Sequence, residues 1–62
     1  MTQSDIRPGT LVKDKDGNVN YGLPMNVIDD NQLEVMVGYY NLDGNYQEGW
    51  LQRDKVIQVF KI

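Results

Sequence analysis

The chain has 62 residues, of which 40% are hydrophobic, so it can fill one small core and form one domain. Cysteine and histidine are absent, which excludes disulfides, thiolate or imidazole metal sites and nucleophilic triads. The formal net charge of −3 argues against binding that depends on neutralising phosphates. The six glycines are dispersed and form no phosphate-binding loop, so no cofactor is expected. No apolar run approaches the roughly 20 residues that cross a bilayer, so we expect a cytoplasmic protein with no membrane partner.

The first turn signal predicts where the domain begins. Residues 1–5 are polar apart from the initial methionine, and Arg7-Pro8-Gly9 is typical of a turn. We therefore predict a flexible N-terminal tail over residues 1–5 and a single domain over residues 6–62.

Short β-rich runs alternate with clusters of Asp, Asn and Gly at a spacing of about eight to twelve residues, which is typical of an all-β domain. No window of about a dozen residues keeps the apolar spacing of a helix. The predicted elements are strands at Thr10 to Lys13 or Asp14, Met25–Asp29, Gln32–Tyr40, Tyr46–Gln52 and Val56–Phe60, a loop at Val19–Pro24, and a 3₁₀ turn at Arg53–Lys55.

A chain of this length is too short for a seven-stranded sandwich, so we expect the strands to form a small five-stranded SH3-like barrel. Asp16-Gly17 and Asp43-Gly44 are expected to supply the positive φ angles of two tight reversals. Alternation along residues 32–40 predicts a core face made of Leu33, Val35, Val37 and Tyr39.

Several short motifs stand in a characteristic order along the chain: Ile6-Arg7-Pro8-Gly9-Thr10-Leu11-Val12-Lys13, Gly22-Leu23-Pro24-Met25-Asn26-Val27, Tyr39-Tyr40, Glu48-Gly49-Trp50-Leu51 and Asp54-Lys55-Val56. In this order the chain resembles the YodC-like family of small bacterial proteins and, more loosely, other SH3-like barrels that begin with a Gly-x-x-Val strand. The resemblance implies an SH3-like fold without catalysis. It supplies no site residues, because the family has no settled activity. The chain departs from the pattern by an insertion at Asp16–Gly22, where the loop of SH3-like barrels often helps to form the binding surface.

Carboxylates are the remaining candidates for catalysis. Asp29 with Asp30, or Asp43 with Glu48, could form a carboxylate pair. All four stand at turns or strand ends, where acidic side chains commonly cap backbone amides. No loop of the chain places oxygen ligands in the register of a calcium site. We therefore expect neither enzymatic activity nor a metal site.

The chain has more aromatic side chains than so small a core can hold. Strand alternation places Tyr40 and Trp50 on one outer face of the central hairpin, and exposed Tyr and Trp favour recognition. We predict a small non-enzymatic binding or adaptor module that docks a protein or peptide through an exposed aromatic and acidic face, with Glu34, Glu48 and Asp43 as the acidic neighbours. Its predicted partner-binding residues are Trp50, Tyr40, Tyr46, Tyr21 and Glu48. In the alternative interpretation, Trp50 closes one end of the barrel and the tyrosines shield the sheet edges.

Two further alternatives concern other surfaces. Lys13, Lys15, Arg53 and Lys55 could form a basic strip of a nucleic-acid-associated accessory domain, although interleaved aspartates weaken its field and make nucleic acid the less favoured partner. The apolar final segment, Val56–Ile62, could instead be an edge strand through which a structural subunit forms homo-oligomers.

Overall fold

The computed structural model describes residues 6–59, which form five antiparallel strands in one sheet. The predicted all-β class is confirmed. The predicted tail over residues 1–5 and the end of the predicted last strand, at Phe60, lie outside the described residues. The elements are β1 Leu11–Asp14, β2 Met25–Asp30, β3 Glu34–Tyr40, β4 Tyr46–Gln52 and β5 Val56–Gln58, with 3₁₀ turns at Asn20–Gly22 and Arg53–Lys55.

The order of strands in the sheet is β4-β3-β2-β1-β5. Strands β2, β3 and β4 follow one another as an antiparallel meander, whereas β5 returns to the far side of β1. Within residues 6–59 no backbone pairing joins β4 to β5, so the sheet is open and the predicted closure into a barrel is not confirmed. The same residues contain no helix long and apolar enough to span a bilayer.

One face of the sheet carries the core, because successive side chains of a strand point to opposite faces. Valine predominates there, and its branched side chain fits a pleated surface. The fully buried residues are Ile6, Val12, Met25, Val27, Val35, Val37 and Val56. Val19, Tyr39 and Leu51 are partly buried and pack against them.

Leu33 departs from the predicted core face, since its side chain is 75% exposed. Strand β3 begins at Glu34 rather than at Gln32. The side-chain Oδ1 of Asn31 accepts hydrogen bonds from the backbone N–H groups of Leu33 (3.0 Å) and Glu34 (2.8 Å), which holds this segment in a turn. Leu33 therefore lies beyond the end of the strand, and its prediction as a core residue was wrong.

In the two Asp-Gly turns glycine alone has a positive φ. Gly17 has φ +74° and Gly44 has φ +82°, whereas the described residues include no aspartate with a positive φ. In the β3–β4 turn, Oδ1 of Asn41 accepts the backbone N–H groups of Asp43 (3.0 Å) and Asn45 (2.9 Å). Both reversals form where they were predicted, but the asparagine side chain organises the second one.

Asp14 is a buried carboxylate at the end of β1. Its Oδ2 accepts the backbone N–H of Val19 (2.7 Å), and its Oδ1 accepts that of Asp16 (3.3 Å). These bonds, led by the one from Val19, hold the pKa of Asp14 below its ordinary value of 3.8, although burial opposes them. The ionised side chain thus fixes the start of the inserted loop to the core.

Replacing Asp14 by asparagine is expected to lower stability at neutral pH and to reduce its acid dependence. Because the folded-state pKa lies below 3.8, the carboxylate stabilises the wild type above that pH and loses this effect as the pH falls through the folded-state pKa. Urea unfolding between about pH 7 and pH 2 should show the wild type and Asp14→Asn converging on acidification. Asp43→Asn, at an exposed loop carboxylate, is the control. A difference independent of pH would contradict this role.

Candidate partner-binding face

Strands β3 and β4 form a hairpin whose outer face, opposite the core, carries most of the predicted site. The strands pair without a register shift from Glu34↔Gln52 to Tyr40↔Tyr46. Residues directly opposite one another lie on the same face of the sheet. The outer hairpin face consists of Glu34, Met36, Gly38 and Tyr40 of β3 and Tyr46, Glu48, Trp50 and Gln52 of β4.

The cross-strand pairs on this face are non-hydrogen-bonded pairs, the type in which the two Cα atoms lie closer together. Backbone hydrogen bonds lie at both ends of the hairpin: the N–H of Arg53 donates to the carbonyl of Leu33, and that of Asn41 donates to the carbonyl of Asn45, both at 2.9 Å. Hydrogen-bonded and non-hydrogen-bonded pairs alternate along an antiparallel ladder. Counting inward from either end, the pairs of the outer hairpin face are non-hydrogen-bonded, with Cα atoms about 4.5 Å apart.

The aromatic side chains on this face are exposed, as the sequence predicted. Tyr40 is 71%, Tyr46 47% and Trp50 42% exposed. The rings of Tyr40 and Tyr46 have centroids 5.2 Å apart and an interplanar angle of 58°, a tilted arrangement that aromatic pairs favour. Trp50 lies opposite Met36. This placement contradicts the alternative in which Trp50 closes one end of a barrel.

Tyr46 packs across β3 over Gly38. A Cβ atom at Gly38 would lie 2.9 Å from Cζ and 3.2 Å from Cε1 of Tyr46, and it would also collide with the hydroxyl. Gly38 is consequently buried although it belongs to the outer face. Although the residue as a whole is exposed, the packing of its hydroxyl end over Gly38 removes water and raises the pKa of Tyr46 above its ordinary value of 10.0, and the nearby carboxylate of Glu48 raises it further.

Carboxylates surround this aromatic surface. In the β2–β3 register Asp29 lies opposite Met36, so Asp29 extends the face by one strand. Glu34 and Glu48 lie on the hairpin itself. Where the described parts of β2, β3 and β4 contribute to this face, none of the paired positions carries a basic residue. The face therefore combines exposed aromatic rings with negative charge.

An open groove of about 400 Å³ continues the outer hairpin face beyond its last cross-strand pair. Its lining residues are Gln32, Leu33, Glu34, Gln52, Arg53 and Asp54. The sequence pattern did not point to this groove, because Leu33 was predicted to lie in the core. Asn31 was the available signal, since an asparagine that caps two following amides delays the start of a strand.

Tyr21 is the predicted site residue that the structure places elsewhere. It lies in the 3₁₀ turn Asn20–Gly22, which packs against β1. Strand β2 separates β1 from the β3–β4 hairpin. Tyr21 is 73% exposed, but it belongs to a different part of the surface from Trp50 and Tyr40.

The backbone of Tyr21 is left-handed, with φ 54° and ψ 26°. Replacing Tyr21 by glycine is expected to raise the free energy of unfolding by about 1 kcal/mol, because a side chain in this conformation costs about 1–2 kcal/mol. Tyr40→Gly is the matched control, since that tyrosine is equally exposed but extended, and it should destabilise the fold. Urea unfolding measures both variants; a loss of stability in both would show that Tyr21 is not strained.

Arg53 does not join the predicted basic strip, because its guanidinium is bonded within the fold. Nη1 donates to the carbonyl of Ile6 (2.7 Å), Nε donates to the carbonyl of Asn31 (3.0 Å), and Nη2 forms an ion pair with Oδ2 of Asp30 (2.7 Å). The side chain is only 17% exposed. The strip is thus reduced to its three lysines, among which aspartates are interleaved.

The structure also places the Asp29 and Asp30 carboxylates and the apolar final segment. Oδ1 of Asp29 accepts the backbone N–H of Asp30 (2.8 Å), and Asp30 pairs with Arg53. In the final segment considered for oligomerisation, β5 is the other terminal strand of the described sheet, as predicted, but its Val56 is fully buried in the core, and residues 60–62 lie outside the described part of the chain. Across residues 6–59 there is no cluster of three or more side chains suited to a metal ion.

Comparisons of the chain with protein-family models, with curated proteins and with solved structures found no match. The resemblance to the YodC-like family therefore stays a prediction.

Proposed function

We propose that the chain is a small non-enzymatic binding module that docks a protein or peptide through its outer hairpin face. The observation that carries this proposal is the exposure of Tyr40, Tyr46 and Trp50 on one side of one hairpin. Other large hydrophobic residues are also exposed, but they lie outside the cross-strand pairs of this face, so the clustering of the three rings is what distinguishes the hairpin. Tyrosine and tryptophan dominate the energetics of protein interfaces.

The face is also prepared for binding in its geometry. The Tyr40 and Tyr46 rings pack against each other, and the Tyr46 ring also lies over Gly38. Side chains already restrained in the free protein lose little conformational entropy when a partner arrives. Because the hairpin pairs without a bulge, it presents these side chains on a regular backbone rather than on a loop.

Panning a displayed library of random peptides against the full chain tests the proposal. Enriched peptides should bind Trp50→Ala more than about tenfold more weakly than the wild type, because truncating a central aromatic residue commonly costs at least about 2 kcal/mol. Leu23→Ala is the matched control, since Leu23 is an exposed apolar residue outside this face. Its affinity should be unchanged.

Unfolding curves of both variants separate binding from folding. Trp50 is partly exposed and lies on the face opposite the core, so Trp50→Ala should remain folded. If Trp50→Ala unfolds, or if no enriched peptide distinguishes it from the wild type, the proposed function is wrong.

A further inference from the structure

The residues of β4 whose side chains lie on the outer hairpin face are also the residues whose backbone groups point toward the free edge of the sheet. Strand β4 is a terminal strand of the sheet over the described residues. Because Trp50 and Glu48 are in non-hydrogen-bonded pairs with β3, their backbone N–H and C=O groups point away from β3 toward that edge. The same holds for Tyr46 and Gln52. A strand added at this edge would bond to these backbone groups and lie beside their side chains.

Strand β4 carries one charged side chain, that of Glu48, and otherwise lacks the usual features that block such pairing. It is seven residues long, contains neither proline nor lysine, and most of its residues are exposed. Its register with β3 shows no bulge. Natural edge strands are commonly short, bulged, or carry lysine or proline, which discourages the addition of another strand. A long, regular and exposed edge is therefore a suitable template for an extended partner.

We propose that the partner is a cationic segment that adds to β4 as an antiparallel strand and places lysine or arginine at alternate positions over the outer hairpin face. This inference rests on the proposed function. In such a pair, side chains opposite Glu48 and Trp50 lie about 5 Å from them. Glu48 then offers a carboxylate, and the indole of Trp50 offers a π-face for a cation. Antiparallel pairing continues the pattern of the sheet.

Charge distinguishes this partner from a second copy of the chain. Two β4 strands paired around a two-fold axis at Glu48 would place the two Glu48 side chains directly opposite each other, where like charges are destabilising, and an axis at Gly49 would leave them diagonal neighbours on one face. The net charge of −3 adds long-range repulsion between copies. A basic segment meets attraction at the same positions, so its affinity should fall as salt is added.

Four synthetic peptides of seven residues, the length of β4, test the proposal with the full chain. The first alternates lysine and threonine, beginning and ending with lysine. The second has glutamate in place of lysine. The third carries backbone N-methyl groups on its lysines, whose N–H groups would face β4, and the fourth carries them on its threonines, whose N–H groups would face solvent. Trp50 fluorescence and amide chemical shifts report binding.

The lysine peptide is expected to bind with shifts along β4, and the glutamate peptide should not bind. Methylation of the lysine nitrogens should weaken binding more than about tenfold, whereas methylation of the threonine nitrogens should change it by less than about threefold. Glu48→Gln should weaken the binding of the lysine peptide. Equal binding of both methylated peptides, a reversed methylation pattern, or preference for the glutamate peptide would overturn the proposal.

The panning result separates the two proposals. If the lysine peptide does not bind while library peptides still bind in a Trp50-dependent manner, the proposal of a cationic strand partner is wrong and the proposed function stands. If the library also yields no Trp50-dependent binder, both are wrong.

Discussion

Replacing Arg53 by lysine is expected to lower the free energy of unfolding by about 3 kcal/mol, as for other side chains whose charged hydrogen bonds are broken inside a fold. Domains of this length are commonly stable by only about 3–9 kcal/mol. The variant should therefore have lost a large part of its stability. Urea unfolding at neutral pH measures the loss as a lower transition midpoint with an unchanged slope.

The reason lies in what the guanidinium connects. Arg53 donates to the carbonyl of Ile6, before β1, and to the carbonyl of Asn31, in the β2–β3 turn, and it pairs with Asp30 at the end of β2. Its own backbone N–H donates to the carbonyl of Leu33. A planar guanidinium reaches the two backbone carbonyls and the Asp30 carboxylate at once, whereas an ammonium group is a compact donor that cannot match their arrangement.

Lys55→Arg is the control for this substitution, since it makes the reverse exchange at an exposed position of the same 3₁₀ turn. It should change the free energy of unfolding by no more than about 0.5 kcal/mol. The loss in free energy of unfolding for Asp30→Asn should lie between those of the other two variants, because this substitution leaves the hydrogen bonds from Arg53 to the two backbone carbonyls in place. A loss for Arg53→Lys no larger than that for Lys55→Arg would show that the guanidinium does not hold these segments together.

The strands were predictable because their signals are local. Alternation identified Val35 and Val37 as core residues, and the turn residues placed β4 and the following 3₁₀ turn correctly. Closure of the sheet was a different kind of inference, since it depends on twist and on pairing between distant strands. The misplacement of Leu33 came from extending the period of β3 through a turn that Asn31 caps.

The candidate site was predictable to the same extent. The alternation of side chains along the strands correctly placed Tyr40 and Trp50 on one exposed face. Tyr21 lies in a loop, where no period relates its position to that hairpin. The role of Arg53 was hidden because the groups that accept hydrogen bonds from its guanidinium are 22, 23 and 47 residues away in sequence. Such contacts follow from the tertiary arrangement and leave no local pattern.

Replacing Gly38 by alanine is expected to lower the free energy of unfolding by about 1–2 kcal/mol, which is typical of overpacking. The added Cβ atom would occupy space that the Tyr46 ring fills, so the ring has to leave its position over β3. In a Tyr46→Ala background the same substitution should instead stabilise the fold by about 0.5–1 kcal/mol, because glycine in a strand interior is unfavourable relative to alanine. Urea unfolding of the four proteins of this cycle measures the reversal.

The displaced ring should also change how stability responds to alkaline pH. In the wild type the raised pKa of Tyr46 means that its contribution is present below the ordinary value of 10.0 and is lost as the pH rises through the folded-state pKa. Once Gly38→Ala has moved the hydroxyl away from β3 and Glu48, this alkaline loss of stability should be smaller.

Loss of Trp50-dependent peptide binding in the Gly38→Ala variant would tie the space above Gly38 to the docking surface. A destabilisation that persists in the Tyr46→Ala background would place the strain in the β3 backbone instead.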